Sequence, residues 1–207
     1  ISTLEPSSAA SDVYKRQAFK VRAALAATAS PLWGVYAGYE LFEHVARPGA
    51  EEYIDNEKFQ LRPRDFDGAV QRGESLAPYL TRLNQIRRDH PALGDLQNLT
   101  LQSASDDAIV AFSKTKTVER DGVQVKDTVI VVVNTDPHAT REATVWLDLD
   151  ALDLRDQDFN EDGSFWVDDL ITGSSWKWGT HNYVRLDPYV EPCLLYTSDA
   201  ADERSSV

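Results

Sequence analysis

Apolar and polar residues along this chain follow two different rhythms. In "AFKVRAALAATAS" (18 to 30) apolar positions recur close to helical spacing and stop before Pro31, which predicts a helix. The next run, "LWGVYAGYE" (32 to 40), is short, aromatic and punctuated by Gly34 and Gly38, and reads as a strand buried on both sides. In "ESLAPYLTRLNQIRRDHPAL" (74 to 93) Leu76, Leu80, Leu83 and Ile86 share one face and Arg82, Arg87 and Arg88 lie off it, so a second helix is expected to close before Pro91. From about residue 95 the period changes to two. "NLTLQSA", "AIVAFSKT", "DTVIVVVNTD", "ATVWLDLD", "SFWVDDLIT" and "NYVRLDP" read as strands, several of them separated by the turn signals Asp121-Gly122, Asp162-Gly163 and Thr172-Gly173. Helix then buried strand suggests α/β architecture for the first part, and six or more strands at this spacing suggest an antiparallel sandwich for the second.

Between the two helices lies a long connector in which "GAEEYIDNEKFQLRPRDF" (49 to 66) is dense in charge of both signs. Connections in folded domains usually take a handful of residues, and longer ones are functional or disordered. The two ends of the chain differ in origin from its middle. "DVYKRQ" (12 to 17) and "CLLYTS" (193 to 198) can be encoded by opposite strands of one short duplex and resemble translated sequencing-library adapter. Segments 1–17 and 193–207 are therefore set aside from fold reasoning. The remainder, 18 to 192, contains no Met and reads as an interior piece of a longer protein.

Composition narrows the function. The formal charge is −13, and −11 once the three basic and five acidic residues of the two ends are set aside. Nucleic acid is not expected as a partner, because phosphate binding needs a basic surface. No apolar run approaches the ~20 residues of a membrane span, so no membrane association is expected. Cys193 is the only cysteine, which removes a disulfide framework and fits a reducing, cytoplasmic setting. No internal repeat or low-complexity linker separates the two parts.

Several features invite a chemical role and have plainer explanations. Asp158, Asn160, Asp162, Gly163 and Asp169 match calcium-loop spacing, but the final Glu and the flanking helices are missing, and an Asp-Gly hairpin turn explains them more simply. Trp176 and Trp178 would share one strand face and could stack on a sugar ring, although core packing is the commoner fate of such residues. His44, His90, His138 and His181 show no ligand spacing, so no metal and no cofactor are assigned. No nucleophile signature and no phosphate-cradling Gly loop is present. A lysine among acids, such as Lys58, is ordinarily a solvated charge. Glu51, Glu52, Asp55 and Glu57 are available to pair with Arg47, Arg62 or Arg64, and Glu40 reads as a hydrogen-bonded structural carboxylate.

Longer motifs carry a resemblance. "PLWGVYAGYELFE", with Tyr36, Gly38 and Glu40, is similar to the last barrel strand of the α-amylase superfamily, and "LNQIRRDHPAL" resembles the helix that closes that barrel. "GAEEYIDNEKFQLRPRDFD", "VVVNTDPHATREATVWLDLDAL" and "WGTHNYVRLDP" resemble the maltosyltransferases of that superfamily that use α-maltose 1-phosphate. The resemblance implies the end of a (β/α)8 barrel over 18–94, with a long active-site loop at 39–73, followed by an antiparallel β-sandwich over 95–192. It also implies α-maltose 1-phosphate and an α-1,4-glucan as substrates, phosphate release with retention, and a homodimeric full-length protein. Lys58 and Phe59 are the expected substrate-binding residues. The family usually carries Tyr where Phe59 stands, so a stacking face remains and a phenol hydrogen bond is lost. The catalytic carboxylates are expected upstream of residue 18, which leaves this chain inactive alone. Two alternatives stay open: another α-amylase-superfamily activity, separated by whether phosphate is released from the donor, and a non-catalytic carbohydrate-binding or structural sandwich.

Overall fold

A computed structural model describes residues 8–49, 54, 61–120, 122–154 and 158–197, the side chains of 8–14 excepted. Among the described residues four α-helices, α1 (Ser8–Ala29), α2 (Phe66–Gln71), α3 (Ala77–Asp89) and α4 (Leu149–Leu152), accompany eight strands. These are β1 (Leu99–Ala104), β2 (Ile109–Arg120), β3 (Val123–Asn134), β4 (Arg141–Trp146), β5 (Phe165–Asp169), β6 (Ser175–Trp178), β7 (His181–Leu186) and β8 (Cys193–Thr197).

The strands form one antiparallel sheet in the order β6-β5-β8-β3-β2-β1-β4-β7. Its spine is the β2–β3 hairpin, paired from Ile109↔Asn134 to Arg120↔Val123 and turning at Gly122, whose φ of 80° only glycine adopts without strain. Alternation along β3 explains its sequence. Val129, Val131 and Val133 face one core with Phe112, Cys193 and Leu195, while Ile130 and Val132 face another with Val145, Phe165, Val167, Val184 and Leu186. A strand covered on both faces has no solvent side, hence the unbroken "TVIVVV". The sheet curls so that β4, β5 and β7 face one another across the second core, which makes it nearly closed. The first core is capped by helices. α1 contributes Phe19, Val21, Ala23, Ala24 and Ala27, and α3 contributes Leu80, Leu83 and Ile86. Small residues on α1 let the two helices and the sheet approach closely.

This architecture corrects the expected fold class. No part of a (β/α)8 barrel is present among the described residues, and α1 and α3 instead share a core with the antiparallel sheet. The strand expected over 32–40 does not form. A strand must give its N–H and C=O groups to a neighbour, and no described strand pairs with this run. Gly38 (φ 104°) and Phe42 (φ 58°) bend it into a turn around the 3-10 segment Tyr39–Leu41. Leu32 is consequently 85% exposed, and Val35 and Tyr36 are exposed too. The sandwich is also one continuous sheet, because β1 pairs with both β2 and β4. The two ends set aside above both join the fold: α1 begins at Ser8, and β8 lies between β3 and β5.

Two ties hold the helical layer to the sheet. His90, at the end of α3, meets Asp127 of β3 through Nδ1 at 2.7 Å, and the other carboxylate oxygen of Asp127 accepts the Ala92 N–H at 2.7 Å. Lys114 of β2 is fully buried and donates from Nζ to the backbone carbonyls of Leu93 and Asp95. Burial, and next the nearby Arg87, hold its ammonium below the ordinary lysine range, with Asp95 opposing them.

Candidate functional site

The turn that replaces the expected strand brings Glu40 and Glu43 together with Arg62 and Arg64 of the connector. Gly38 makes it feasible, since a Cβ there would sit 2.1 Å from Glu43 Oε2. Its N–H donates to Glu40 Oε2 at 3.0 Å, and its carbonyl accepts from Leu41 at 3.0 Å and Glu43 at 3.1 Å. Phe42 follows in left-handed conformation, a cost of order 1 kcal/mol for a non-glycine residue. Packing offsets it: the Phe42 ring lies edge-on to Phe19 at 5.5 Å, with the Arg16 guanidinium 5.2 Å from its centre. Tyr39 packs on Phe19 at 4.6 Å and donates its hydroxyl to the Phe19 carbonyl at 2.7 Å. The Glu40 carbonyl accepts from Leu76 N–H at 2.8 Å, which binds the turn to the start of α3.

Held this way, Glu43 receives both arms of Arg64, Nε at 2.8 Å and Nη2 at 3.0 Å, with Arg62 3.5 Å away. The Arg64 hydrogen bonds hold the Glu43 carboxyl below the usual range against the opposing effect of partial burial. Asp65 caps α2 by accepting the Gly68 N–H at 2.9 Å, and Arg72 bridges Asp65 at 3.0 Å and Glu74 at 2.7 Å. A cleft of about 420 Å³ opens between Arg16, Phe42, His44, Asp65 and Arg72. A smaller hollow of about 150 Å³ lies among Glu43, Val45, Ile54 and Arg62.

This chemistry suits holding a polar molecule better than cleaving one. A general acid needs a raised carboxyl pKa near the working pH, whereas Glu43 is lowered and engaged by two arginines, and Glu40 is spent on its own turn. Lys58 and Phe59, together with Glu51, Glu52, Asp55 and Glu57, lie outside the described residues. Among the described residues Arg62 and Arg64 both meet Glu43. Nothing in the spacing of "ELFEH" singles out Glu43, because its role depends on the turn at Gly38.

The remaining candidates resolve into structure. Asp162 accepts the Ser164 N–H at 3.0 Å, and buried Asp169 accepts from Ile171, Thr172 and Leu195, so these carboxylates close the turns on either side of β5. Among the described residues no group of three or more His, Cys, Asp or Glu side chains converges to hold a metal. Trp178 is 6% exposed and packs on Tyr196 at 4.3 Å, while Trp176 is 50% exposed, so the two tryptophans do not form one stacking surface. No helix among the described residues is long and apolar enough to cross a membrane.

Comparison with known proteins places the chain. Residues 101–197 match the family model described as "GLGE, C-terminal". The alpha-1,4-glucan:maltose-1-phosphate maltosyltransferase of Mycolicibacterium smegmatis is 52% identical over 171 residues, covering 82% of this chain and 23% of that protein. The protein of the same name from Corynebacterium glutamicum is 53% identical over 174 residues, covering 84% and 24%. One from Mycobacterium tuberculosis is 49% identical over 171 residues, covering 82% and 23%. The chain thus spans about a quarter of the length of the curated relatives it matches. It belongs to the family of alpha-1,4-glucan:maltose-1-phosphate maltosyltransferases, of which it is a C-terminal part.

Proposed function

We propose that the full-length protein transfers maltosyl units from α-maltose 1-phosphate to the non-reducing end of an α-1,4-glucan, with retention and release of phosphate. The supporting observation is the 52% identity over 171 residues to a relative named for that donor and acceptor. Retention through a covalent glycosyl-enzyme takes two carboxyl groups about 5 Å apart, one of them a nucleophile. Glu40 and Glu43 are committed to a turn and to arginines; within this reading the reacting carboxylates lie upstream of residue 18, and the chain alone is inactive. The protein works in the cytoplasm as a homodimer.

Within this reading Lys58 donates to a hydroxyl of the maltosyl group and Phe59 offers a stacking face. Both belong to the connector that joins the Glu43 turn to α2. Lys58→Ala in the full-length enzyme is expected to leave the fold intact and to cost about 2 to 4 kcal/mol of donor or transition-state binding, the range for removing a charged partner from a shielded bond. Phe59→Tyr changes donor affinity by about tenfold or less. The deciding assay measures phosphate released from α-maltose 1-phosphate in the presence of maltotetraose, with chain elongation followed in parallel. Elongation without phosphate release, or hydrolysis of the glucan alone, would overturn the reading.

A further inference from the structure

The sheet has one face that nothing among the described residues covers. On β4 and β7 the inward positions are Ala143, Val145, Val184 and Leu186, and all are buried. The outward positions Glu142, Trp146, His181, Tyr183 and Arg185 are all exposed. Trp146 is 37% exposed and Tyr183 64%, unusual positions for large aromatic rings beside a sheet edge.

Register places these side chains together. Trp146 is opposite His181 on β7 and opposite Ser103 on β1. The Trp146 and His181 rings meet edge to face at 6.5 Å. Tyr183, opposite Thr144, is the diagonal neighbour of Trp146, about 7–8 Å away and within reach of an aromatic ring. Beyond Tyr183, Glu142 pairs with Arg185 at 3.4 Å. The result is an aromatic stripe across two strands, flanked by hydroxyls, an imidazole and a carboxylate–guanidinium pair. Because β7 ends the sheet, the stripe is open along its edge.

We infer that this face, centred on Trp146 and Tyr183, is a second binding surface for a neutral α-glucan chain, separate from the connector that carries Lys58. The inference rests on the glucan-directed function proposed above. A pyranose ring presents an apolar C–H face that stacks on an aromatic ring and a rim of hydroxyls that seeks donors and acceptors, and the stripe supplies both. A polyanion is disfavoured by the −13 formal charge of the chain. A protein partner would call for a continuous apolar patch with little charge at its centre, whereas here the tryptophan is ringed by Ser103, His181 and Thr144. Such a surface would keep a long acceptor at the enzyme between transfers, while a short oligosaccharide gains nothing from it.

The test uses the full-length protein and Trp146→Ala, Trp146→Phe and Tyr183→Ala variants, with Trp176→Ala as an exposed-tryptophan control. Retardation in native gels containing glycogen is expected to weaken roughly fivefold or more in Trp146→Ala and Tyr183→Ala, since each loses a stacking ring. Trp146→Phe and Trp176→Ala are expected to stay near wild type. KM for glycogen should rise in the two alanine variants, with KM for maltotetraose and the thermal midpoint unchanged. Unchanged retardation in both, or a loss that follows a lowered thermal midpoint, would overturn the inference and assign the face to packing against protein. The gel measures glucan binding without the donor. A failure of phosphate release would therefore refute the proposed reaction and leave this surface to be judged by itself.

Discussion

Arg87 sits off the apolar face of α3, where a reader of the sequence leaves it in solvent. In the fold its guanidinium reaches back across the helix pair to the end of α1, donating to the carbonyls of Ala27, Ser30 (3.0 Å) and Pro31 (2.7 Å). Ala27 and Ser30 hold carbonyls of the kind a helix leaves without partners at its C-terminus, where a cation also meets the negative end of the helix dipole, and Pro31 lies just beyond the end of α1. Burial lowers the Arg87 pKa somewhat, yet at any working pH the group stays charged. Arg87→Ala should cost about 2 kcal/mol of stability, and Arg87→Lys should recover only part of it, because an ammonium cannot reproduce the planar fork. Denaturant midpoints of the three proteins check this, and an alanine variant as stable as the parent would show the contacts to be incidental. No pattern in "QIRRDH" separates Arg87 from Arg88, whose side chain stays on its own helix with Gln85. Only the placement of α1 separates them.

Elements were legible where periodicity alone decides them. The apolar face Leu76, Leu80, Leu83 and Ile86 became α3, and the alternating runs after residue 95 became strands. The runs "LWGVYAGYE" and "TVIVVVN" both read as buried strands, and the structure treats them oppositely. β3 has β2 on one side and β8 on the other to accept its hydrogen bonds, whereas the earlier run pairs with no strand among the described residues and folds into a turn. The register of β3 also puts a polar residue in the interior, since Asp127 is completely buried and is satisfied by His90 and the Ala92 N–H. Removing one partner of a buried pair typically costs about 3–5 kcal/mol, because the other is left unmatched. Asp127→Ala and His90→Ala should each fall near that range. The double variant should lose markedly less than the sum, which a double-mutant cycle by chemical denaturation would read. Strict additivity would mean the pair is not coupled.

At the scale of the whole molecule, burial of ionisable groups between helices and sheet makes stability depend on alkaline pH. Burial pushes the Cys193 thiol far above its ordinary value of 9 and the Tyr79 and Tyr196 phenols above theirs of 10, neighbouring carboxylates adding to each effect. The folded chain therefore keeps protons that the unfolded chain has released. Stability from these groups is complete below about pH 9 and declines as pH rises from there toward the folded values. Lys114 works the other way: its lowered folded value makes its contribution rise as pH approaches 10.5. Three groups outweigh one, so the thermal midpoint should fall between pH 9 and 11, and Cys193→Ala, less stable at neutral pH, should show a shallower fall. An equal slope in both proteins would sink the assignment to Cys193.

Cys193 also marks where sequence and tertiary structure part. Its segment "CLLYT" is apolar from Cys193 to Tyr196 and feeds both cores, Cys193 and Leu195 one and Leu194 and Tyr196 the other, as a strand between β3 and β5 must. The sequence by itself determined the two helices, the change of rhythm near residue 95, and, through the connector and strand motifs, the family. Those depend on local periodicity, composition and residue identity, all of which are complete within short windows. Tertiary structure decided that the aromatic run after α1 is a turn, that Glu43 is the carboxylate at its centre, that the strands form one rolled sheet, and that Trp146 and Tyr183 share an open face. Each of these depends on which distant segment supplies the hydrogen-bond partner or covers the side chain, and such pairings are properties of the assembled sheet that no window of sequence contains.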